Sequence, residues 1–447
     1  MMKQKAEWGP GAFWKYVSFN ILSMIGLSCF VFVDTLCIAN GVGSDGLAAL
    51  NLVIPVYSLV NGVGLMLGMG GATLYSMEQG MGQGQKANIA FTRACRTALI
   101  LGILFTVSGV AFTKPLGILL GAEGKVMECL IPYMRTLLAF SVPFLFNNVL
   151  VCFVRNDRNP RLAMAAMLTG SFSNILLDTL FIFGFGWGMF GAAFATGLAP
   201  LFSMLVASAH IWKGKNQFRL EKCRFQGKAL VKLMSLGGAS FVTEISSGIV
   251  ILLFNYVILN LTGSVGVAAY GVIANLAIIV MSIFNGIAQG IQPLVSRGYG
   301  SGDIKAVFSY VRRALILAGI LGVLCCLPGI LFTHELIGIF NGGGDAAFEG
   351  IAAKGMPVYF TAFLTMGLNI VAAAVLASVD RARESLSIAL LRGIVLNAVL
   401  VFLLPGFWGM QGIWLVVPIA ESGTILLSFY YIFKYWKYSC LVSCKNM

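Results

Sequence analysis

Residues 43–49 read Gly43-Ser44-Asp45-Gly46-Leu47-Ala48-Ala49, and residues 263–269 read Gly263-Ser264-Val265-Gly266-Val267-Ala268-Ala269, an offset of 220 residues. Working outward, Gly80-x-Gly82-x-Gly84 answers to Gly298-x-Gly300-x-Gly302 at 218, Ala98–Leu101 to Ala314–Leu317 at 216, and Trp187-Gly188-Met189-x-Gly191 to Trp408-Gly409-Met410-x-Gly412 at 221. Four matches in one order at nearly one spacing mark a tandem duplication.

Composition says what surrounds the duplicated unit. Hydrophobic residues make up 58% of the chain, charged residues 11%, and mean hydropathy is +0.89, whereas soluble domains carry about 25% charged residues. A helix of about 20 apolar residues crosses a bilayer. Twelve such stretches can be drawn, at 16–39, 47–77, 94–120, 130–154, 163–186, 189–212, 234–261, 266–295, 313–333, 356–378, 386–406 and 411–433. Lipid satisfies no backbone amide, so the expectation is an all-α polytopic membrane protein of twelve transmembrane helices in two pseudo-symmetric six-helix lobes. The first lobe is expected at 1–212 and the second at 234–447, joined by the Lys- and Arg-rich linker 213–233 on the cytoplasmic side. The 53 glycines, about 12% of the chain against a usual 7% or so, suit close packing of helices in lipid.

The net charge of +13 invites a nucleic-acid reading, but placement argues otherwise. With the N-terminus inside, all the basic residues except Lys114, Lys125, Lys354 and Arg135 fall in inner segments, among them Lys3, Lys5, Arg155, Arg392 and Lys445. That asymmetry predicts both termini on the cytoplasmic face of the cell membrane, with attraction to anionic membrane lipid rather than to nucleic acid. The first apolar run is too long for a cleaved signal peptide and lacks a small-residue cleavage site. The ten cysteines, Cys440 and Cys444 among them, follow no disulfide or zinc spacing and read as small hydrophobic residues.

Catalytic patterns are scarce. The two histidines, His210 and His334, lie at a membrane edge or in a loop and make no His-x-x-x-His metal site. The glycine runs near 80 and 298 lack the Gly-Lys-Ser/Thr of a phosphate cradle and read as tight turns with close helix approach. An enzyme would need a nucleophile and base pair, and none is visible, so no cofactor is expected. A channel would carry ions without coupled exchange.

What remains is a set of carboxylates at membrane depth: Asp34, Asp178, Glu244 and Glu421. Burying an ionised carboxylate at mid-bilayer costs about 2.5–3.5 kcal/mol on insertion scales, so each needs a partner or a task. At 1.5 Å rise per residue, Asp34 lies about 8 Å, Asp178 about 12 Å and Thr196 about 10 Å from the outer ends of their helices, with Asn174 one turn from Asp178. Two carboxylates, an amide and a hydroxyl at one level suit a hard cation such as Na⁺, or two acids sharing one proton. The plainer alternative is helix glue. Glu244, with Ser240, Thr243, Ser246 and Ser247 nearby, is either a proton or substrate carboxylate or an acid satisfied by those hydroxyls. Glu421 has only Ser422 and Thr424 for polar company and reads as structural. Asn147 and Met167, which shares a face with Asn174 at i+7, are candidate substrate contacts; an adaptable thioether suits broad specificity, and core packing explains Met167 equally well.

At these residues the chain resembles the multidrug and toxic compound extrusion (MATE) transporters, in the bacterial branch of DinF-like and MepA-like exporters. The resemblance rests on Asp34-Thr35-x-x-Ile38 with Gly46-Leu47-Ala48-Ala49 and Pro55, on Gly71-Ala72-Thr73 with Ser76, on Asn174-x-x-Leu177-Asp178 followed by Gly188-x-x-Gly191-Ala192-Ala193-x-Ala195-Thr196, and on Gln289-Gly290-x-Gln292-Pro293-Leu294-Val295-Ser296 with Tyr299-Gly300. It implies two six-helix lobes about a V-shaped cavity. It also implies H⁺ or Na⁺ taken up at Asp34, Asn174, Asp178 and Thr196, and export of organic, cationic, aromatic compounds by a monomer. Two departures stand out: helix one has no proline between Pro10 and Pro55, leaving Gly26 or local unwinding to make any kink, and span 356–378 has no acid to pair with Glu244. A flippase for lipid-linked precursors or metabolites is the alternative within the superfamily. It would need cationic groups in the cavity, where the sequence places only Arg135.

Overall fold

The glycines that mark the repeat in sequence have the same backbone in both copies. In the computed structural model, which describes residues 10–340 and 346–445 with side chains through 437, φ is +93° at Gly43 and +68° at Gly263, +74° at Gly82 and +73° at Gly302, and +53° at both Gly188 and Gly409. A side chain is strained in this left-handed region and glycine is not. Each pair sits where one membrane helix turns into the next, so backbone strain favours glycine at the duplicated turns.

Between the turns the chain is helical, and no strand occurs among the described residues. We number the helices α1 (Pro10–Gly41), α2 (Ser44–Gly80), α3 (Gly84–Leu119), α4 (Gly124–Ala139), α5 (Ser141–Asn156), α6 (Pro160–Asp178) and α7 (Gly188–Trp212) in the first half. The second half has α8 (Gly227–Gly300), α9 (Ile304–Leu331), α10 (Thr333–Gly338), α11 (Ala346–Phe360), α12 (Phe363–Ser378), α13 (Ala382–Leu390), α14 (Leu396–Trp408) and α15 (Met410–Lys445). Nine of the described helical stretches are long and apolar enough to cross a membrane singly. One of them, α8, breaks at Gly263 into two spans, and the bent pairs α4–α5 (49°) and α11–α12 (46°) each make one more. The total is the twelve spans expected from hydropathy. The two bends were not foreseen, and they fall in corresponding spans of the two halves.

Two apolar cores follow the duplication. One is built from Ile38 to Phe218 with Leu233 added from the start of α8. The other is built from Phe254 to Tyr435 with Ala12, Phe13, Tyr16 and Val17 added from the start of α1. Each lobe thus lends the beginning of its first helix to the other. Small residues permit the crossings: a Cβ on Gly70 would strike the Leu233 carbonyl, one on Gly237 the Met66 carbonyl, and one on Gly300 the Met77 carbonyl. Backbones in such contact gain dispersion along the whole crossing. Leu104, Val107 and Phe112 on α3, and Ile320 and Leu324 on α9, face outward and are exposed, as lipid-facing side chains must be. The chain is a multi-pass membrane protein.

Helix α1 runs without a break, and Gly26 packs against Leu168, so its role here is close approach to α6. Residues 213–226 cross between the halves without helix. Lys3 and Lys5, and the side chains of Cys440, Cys444 and Lys445, lie outside the described residues. Eight cysteines are free thiols.

Candidate functional site

The cluster of oxygen ligands begins with three helices that bury polar side chains at one level. Asp34 on α1, Asn174 and Asp178 on α6 and Thr196 on α7 are all at most 7% exposed. Directly after Asp178 the helix widens into a π-helical turn, Thr179–Gly184, a distortion that frees backbone positions and recurs at functional sites. The side chains of Asp34 and Asp178 are in hydrogen-bonding contact. With its amide oriented to satisfy both neighbours, Asn174 donates to Asp178 Oδ2 at 2.8 Å and accepts from the Thr196 hydroxyl at 3.2 Å. The Tyr133 side chain, on α4, is buried beside Thr196 and completes the wall. Oδ1 of Asp34 and Oδ1 of Asp178 have no partner. Two carboxyls in contact, each with an oxygen lacking a donor, require a proton or a cation between them to avoid mutual repulsion. Two carboxylates, an amide and hydroxyls suit a hard monovalent ion or a proton. Among the described residues, no three His, Cys, Asp or Glu side chains gather in a metal-binding group.

Thr196 has a second neighbourhood. It lines a cavity of about 200 Å³ whose walls also include Asn147, Met167, Glu244, Tyr57 and Arg155. The cluster and the cavity therefore share a residue, and all three candidate substrate contacts face the same space. Of the hydroxyls near Glu244 in sequence, those of Thr243, Ser246 and Ser247 bond to backbone carbonyls and not to its carboxylate. Glu244 Oε1 accepts from Asn61 Nδ2 at 2.8 Å, and Asn61 Oδ1 accepts from Asn148 Nδ2 at 2.9 Å. Asn61 and Asn148 were missed in the sequence. The signal was asparagine within apolar helix, Asn61 in α2 and the adjacent pair Asn147-Asn148 in α5.

Three expectations are corrected here. Glu421 does not lack polar company beyond Ser422 and Thr424: Arg392 Nη2 donates to its Oε1 at 2.6 Å and Asn369 Nδ2 to its Oε2 at 2.8 Å, with Asn369 in turn accepting from Ser428 at 2.8 Å. Nor do Arg155 and Arg392 lie in inner loops, since they are only 1% and 6% exposed. Arg155 donates to Asn20 Oδ1 at 2.9 Å and Gln289 Oε1 at 2.7 Å, and it meets the sulfurs of Met69 and Cys152. Arg135, the one cation the sequence placed at the cavity, is exposed, and Arg155 lines the cavity in its stead. His210 lies at a span's end as expected, buried in the last turn of α7 with its Nε2 2.9 Å from Asp157 Oδ2. His334 is exposed beside Glu349.

Comparison with known proteins agrees with this geometry. The MatE family model matches residues 20–180 and again 239–403, one match per copy of the repeat. The multidrug export protein MepA of Staphylococcus saprophyticus is 28% identical over 384 residues, 85% of this chain and 83% of that protein. MepA of Staphylococcus aureus strain MRSA252 is 24% identical over the same length. Among solved structures, a MATE protein in its bent conformation superposes with a TM-score of 0.87 at 21% identity, over 97% of this chain and 96% of that one. A multidrug resistance MATE transporter of the MOP superfamily, in an outward-facing conformation, gives 0.87 at 22%, over 95% and 96%. Duplicated turns, two six-helix lobes and a family match to each half lead to one assignment: the chain belongs to the MatE, or multidrug and toxic compound extrusion, family of membrane transporters.

Proposed function

We propose that this chain is a secondary antiporter that exports organic, cationic, aromatic compounds across the cell membrane in exchange for H⁺ or Na⁺, as a monomer with both termini in the cytoplasm and without a cofactor. The observation that carries the reading is the contact between Asp34 and Asp178 with an undonated oxygen on each, one residue away from a cavity that holds Glu244.

The cycle follows from charge. A proton or Na⁺ arriving from outside neutralises the Asp34–Asp178 pair and lets α1, α6 and α7 repack, and Thr196 carries that repacking to the cavity wall. A bound organic cation, held by Glu244 with Asn147, Met167 and Tyr57 around it, then loses part of its site and leaves. Exchange requires only that the ion and the drug favour different conformations. The relatives named multidrug export proteins support the substrate class.

The test is export of a fluorescent organic cation from proteoliposomes under an imposed Na⁺ gradient or an imposed pH gradient. Export driven by one of them establishes antiport and its coupling ion. A second reading, export of an anionic metabolite or lipid-linked precursor, is favoured by Arg155, a buried guanidinium at the cavity wall whose hydrogen-bond partners include no carboxylate. Competition of the same efflux by phosphate-bearing compounds, without competition by organic cations, would select it.

A further inference from the structure

The duplication places a second polar cluster in the second lobe, and its composition differs from the first in one telling way. In the first lobe the participating spans are the first, fourth, fifth and sixth, carrying Asp34, Tyr133, Asn174 with Asp178, and Thr196. In the second lobe the corresponding spans are the seventh, tenth, eleventh and twelfth. Asn369 stands on the tenth, Arg392 on the eleventh and Glu421 on the twelfth, while Ser246 on the seventh sits against the backbone of Gly393, where an added Cβ would lie 2.6 Å from its hydroxyl. Arg392 follows Asn174 by 218 residues, the offset that also separates Gly80 from Gly298. Glu421 lies one turn past Val417, which follows Thr196 by 221, the offset between Trp187 and Trp408. Both spans carry a π-helical turn, though not in register: Arg392 lies within Leu391–Val395, whereas in the fifth span the turn Thr179–Gly184 follows Asp178.

Charge separates the two clusters. The first has two acids in contact and no basic residue in its hydrogen-bonding set. The second has one acid and one guanidinium, bonded through Nε and Nη2 to Glu421 at 3.1 and 2.6 Å to the same oxygen, with Asn369 holding the other. We propose that Arg392 is a tethered cation occupying, in the second lobe, the place that an exchangeable cation takes in the first, so that Glu421 is permanently satisfied and only one lobe couples to ion movement. The inference rests on the reading of the first cluster as the coupling site.

The chemistry is consistent with a fixed rather than an exchanging ion. Guanidinium stays protonated at any relevant pH, and its planar fork matches a carboxylate. A cavity of about 80 Å³, lined by Arg392, Glu421, Asn397, Ser246 and Tyr359, adjoins the pair. Space for a free cation therefore exists beside Glu421 once the arginine is cut back.

That space makes the proposal testable with guanidinium ion as the probe. In the purified full-length protein, Arg392→Ala is expected to lose thermal stability and to recover several degrees of melting temperature in millimolar guanidinium chloride, but not in potassium chloride at equal ionic strength. Wild type and Arg392→Ala/Glu421→Gln should show no such recovery. In proteoliposomes, Arg392→Gln should raise the number of coupling ions moved per drug above wild type, and Arg392→Lys, which keeps a tethered cation, should leave it unchanged. Arg392→Gln also carries the melting test where Arg392→Ala does not hold its fold. The proposal is overturned if guanidinium stabilises Arg392→Ala no more than the double variant, or if the ratio in Arg392→Gln equals that of wild type. Failure of the first-lobe reading would show elsewhere, as coupled export persisting in Asp34→Asn, and would leave the guanidinium response unaffected.

Discussion

Asn61 donates from Nδ2 to Glu244 Oε1 at 2.8 Å, a hydrogen bond that joins α2 of the first lobe to α8 of the second at the cavity wall. A hydrogen bond to a charged group contributes about 1.5–3 kcal/mol, and this one both orients the carboxylate and ties the lobes together. Glu244→Gln preserves shape and removes charge. The expected result is at least a tenfold rise in KM for a monocationic dye, corresponding to about 1.4 kcal/mol, with little change for a neutral substrate of similar size. Equal loss for both substrates would mean that Glu244 acts on the conformational change and not on recognition.

Asp34 and Asp178 lead to a different expectation, because their side chains are in contact with each other. Replacing either with asparagine removes one charge from a pair that needs a shared proton or ion, so the remaining acid no longer has to exchange it in step with the drug. Asp34→Asn and Asp178→Asn are expected to insert normally and to lose gradient-driven export by at least tenfold. Dye binding measured by fluorescence polarisation should weaken but persist, since neither residue lines the cavity and loss of charge at the pair reaches its wall only through Thr196. Wild-type export rates in both variants would remove the cluster from the mechanism.

How much of this was readable beforehand depended on what each feature needs from the sequence. The turn glycines were legible because a positive φ strains most side chains and favours glycine, so Gly43, Gly82 and Gly188 recur in their counterparts. The four-residue cluster was legible because a carboxylate in an apolar run stands out, and depth follows from a fixed rise per residue. Arg392 and Glu421 were misread for a physical reason: they are 29 residues apart, and a charge count near span ends cannot tell an arginine in a loop from one turned into the lobe. Choosing Asn147 and missing Asn148 has a similar origin. Successive residues on a helix point about 100° apart, and hydropathy alone does not give the rotation to that accuracy. Both asparagines line the cavity, but only Asn148 joins the relay to Glu244.

Gly237 offers a test of the crossing between lobes. A Cβ there would collide with the backbone carbonyl of Met66, which cannot move aside without shifting α2. Gly237→Ala should therefore cost about 1–3 kcal/mol, the usual range for overpacking, and lower the melting temperature. Gly271→Ala, where nothing lies within 4 Å of the new atom, should be close to neutral and serves as the control. Equal melting temperatures for the two variants would show that the lobes are not held by this backbone contact.

Asp157 ties the segment between the halves to the first lobe. Its Oδ1 accepts from the Tyr75 hydroxyl at 2.8 Å, and its Oδ2 faces His210 Nε2 at 2.9 Å and accepts from the Gln217 amide at 2.7 Å. Asp157 and His210 are both buried, so the carboxylate is the common acceptor for three donors from α2, α7 and the connecting segment. Asp157→Ala leaves those donors without a partner. At about 1–3 kcal/mol for each unsatisfied buried group, it should be one of the more destabilising single changes in the chain. The gentler Asp157→Asn retains one acceptor oxygen and turns the other into a donor facing His210 and the Gln217 amide, so the segment should detach while the Tyr75 contact is kept. Lys213, Lys215, Arg219 and Lys222 lie in or next to that segment. Limited trypsin digestion in detergent should then cut Asp157→Asn into two halves several times faster than wild type. Unchanged cleavage would mean that the segment is held by its other contacts, the Arg219 amide on Asn88 and the Glu221 amide on Thr92, and that Asp157 serves the lobe interior alone.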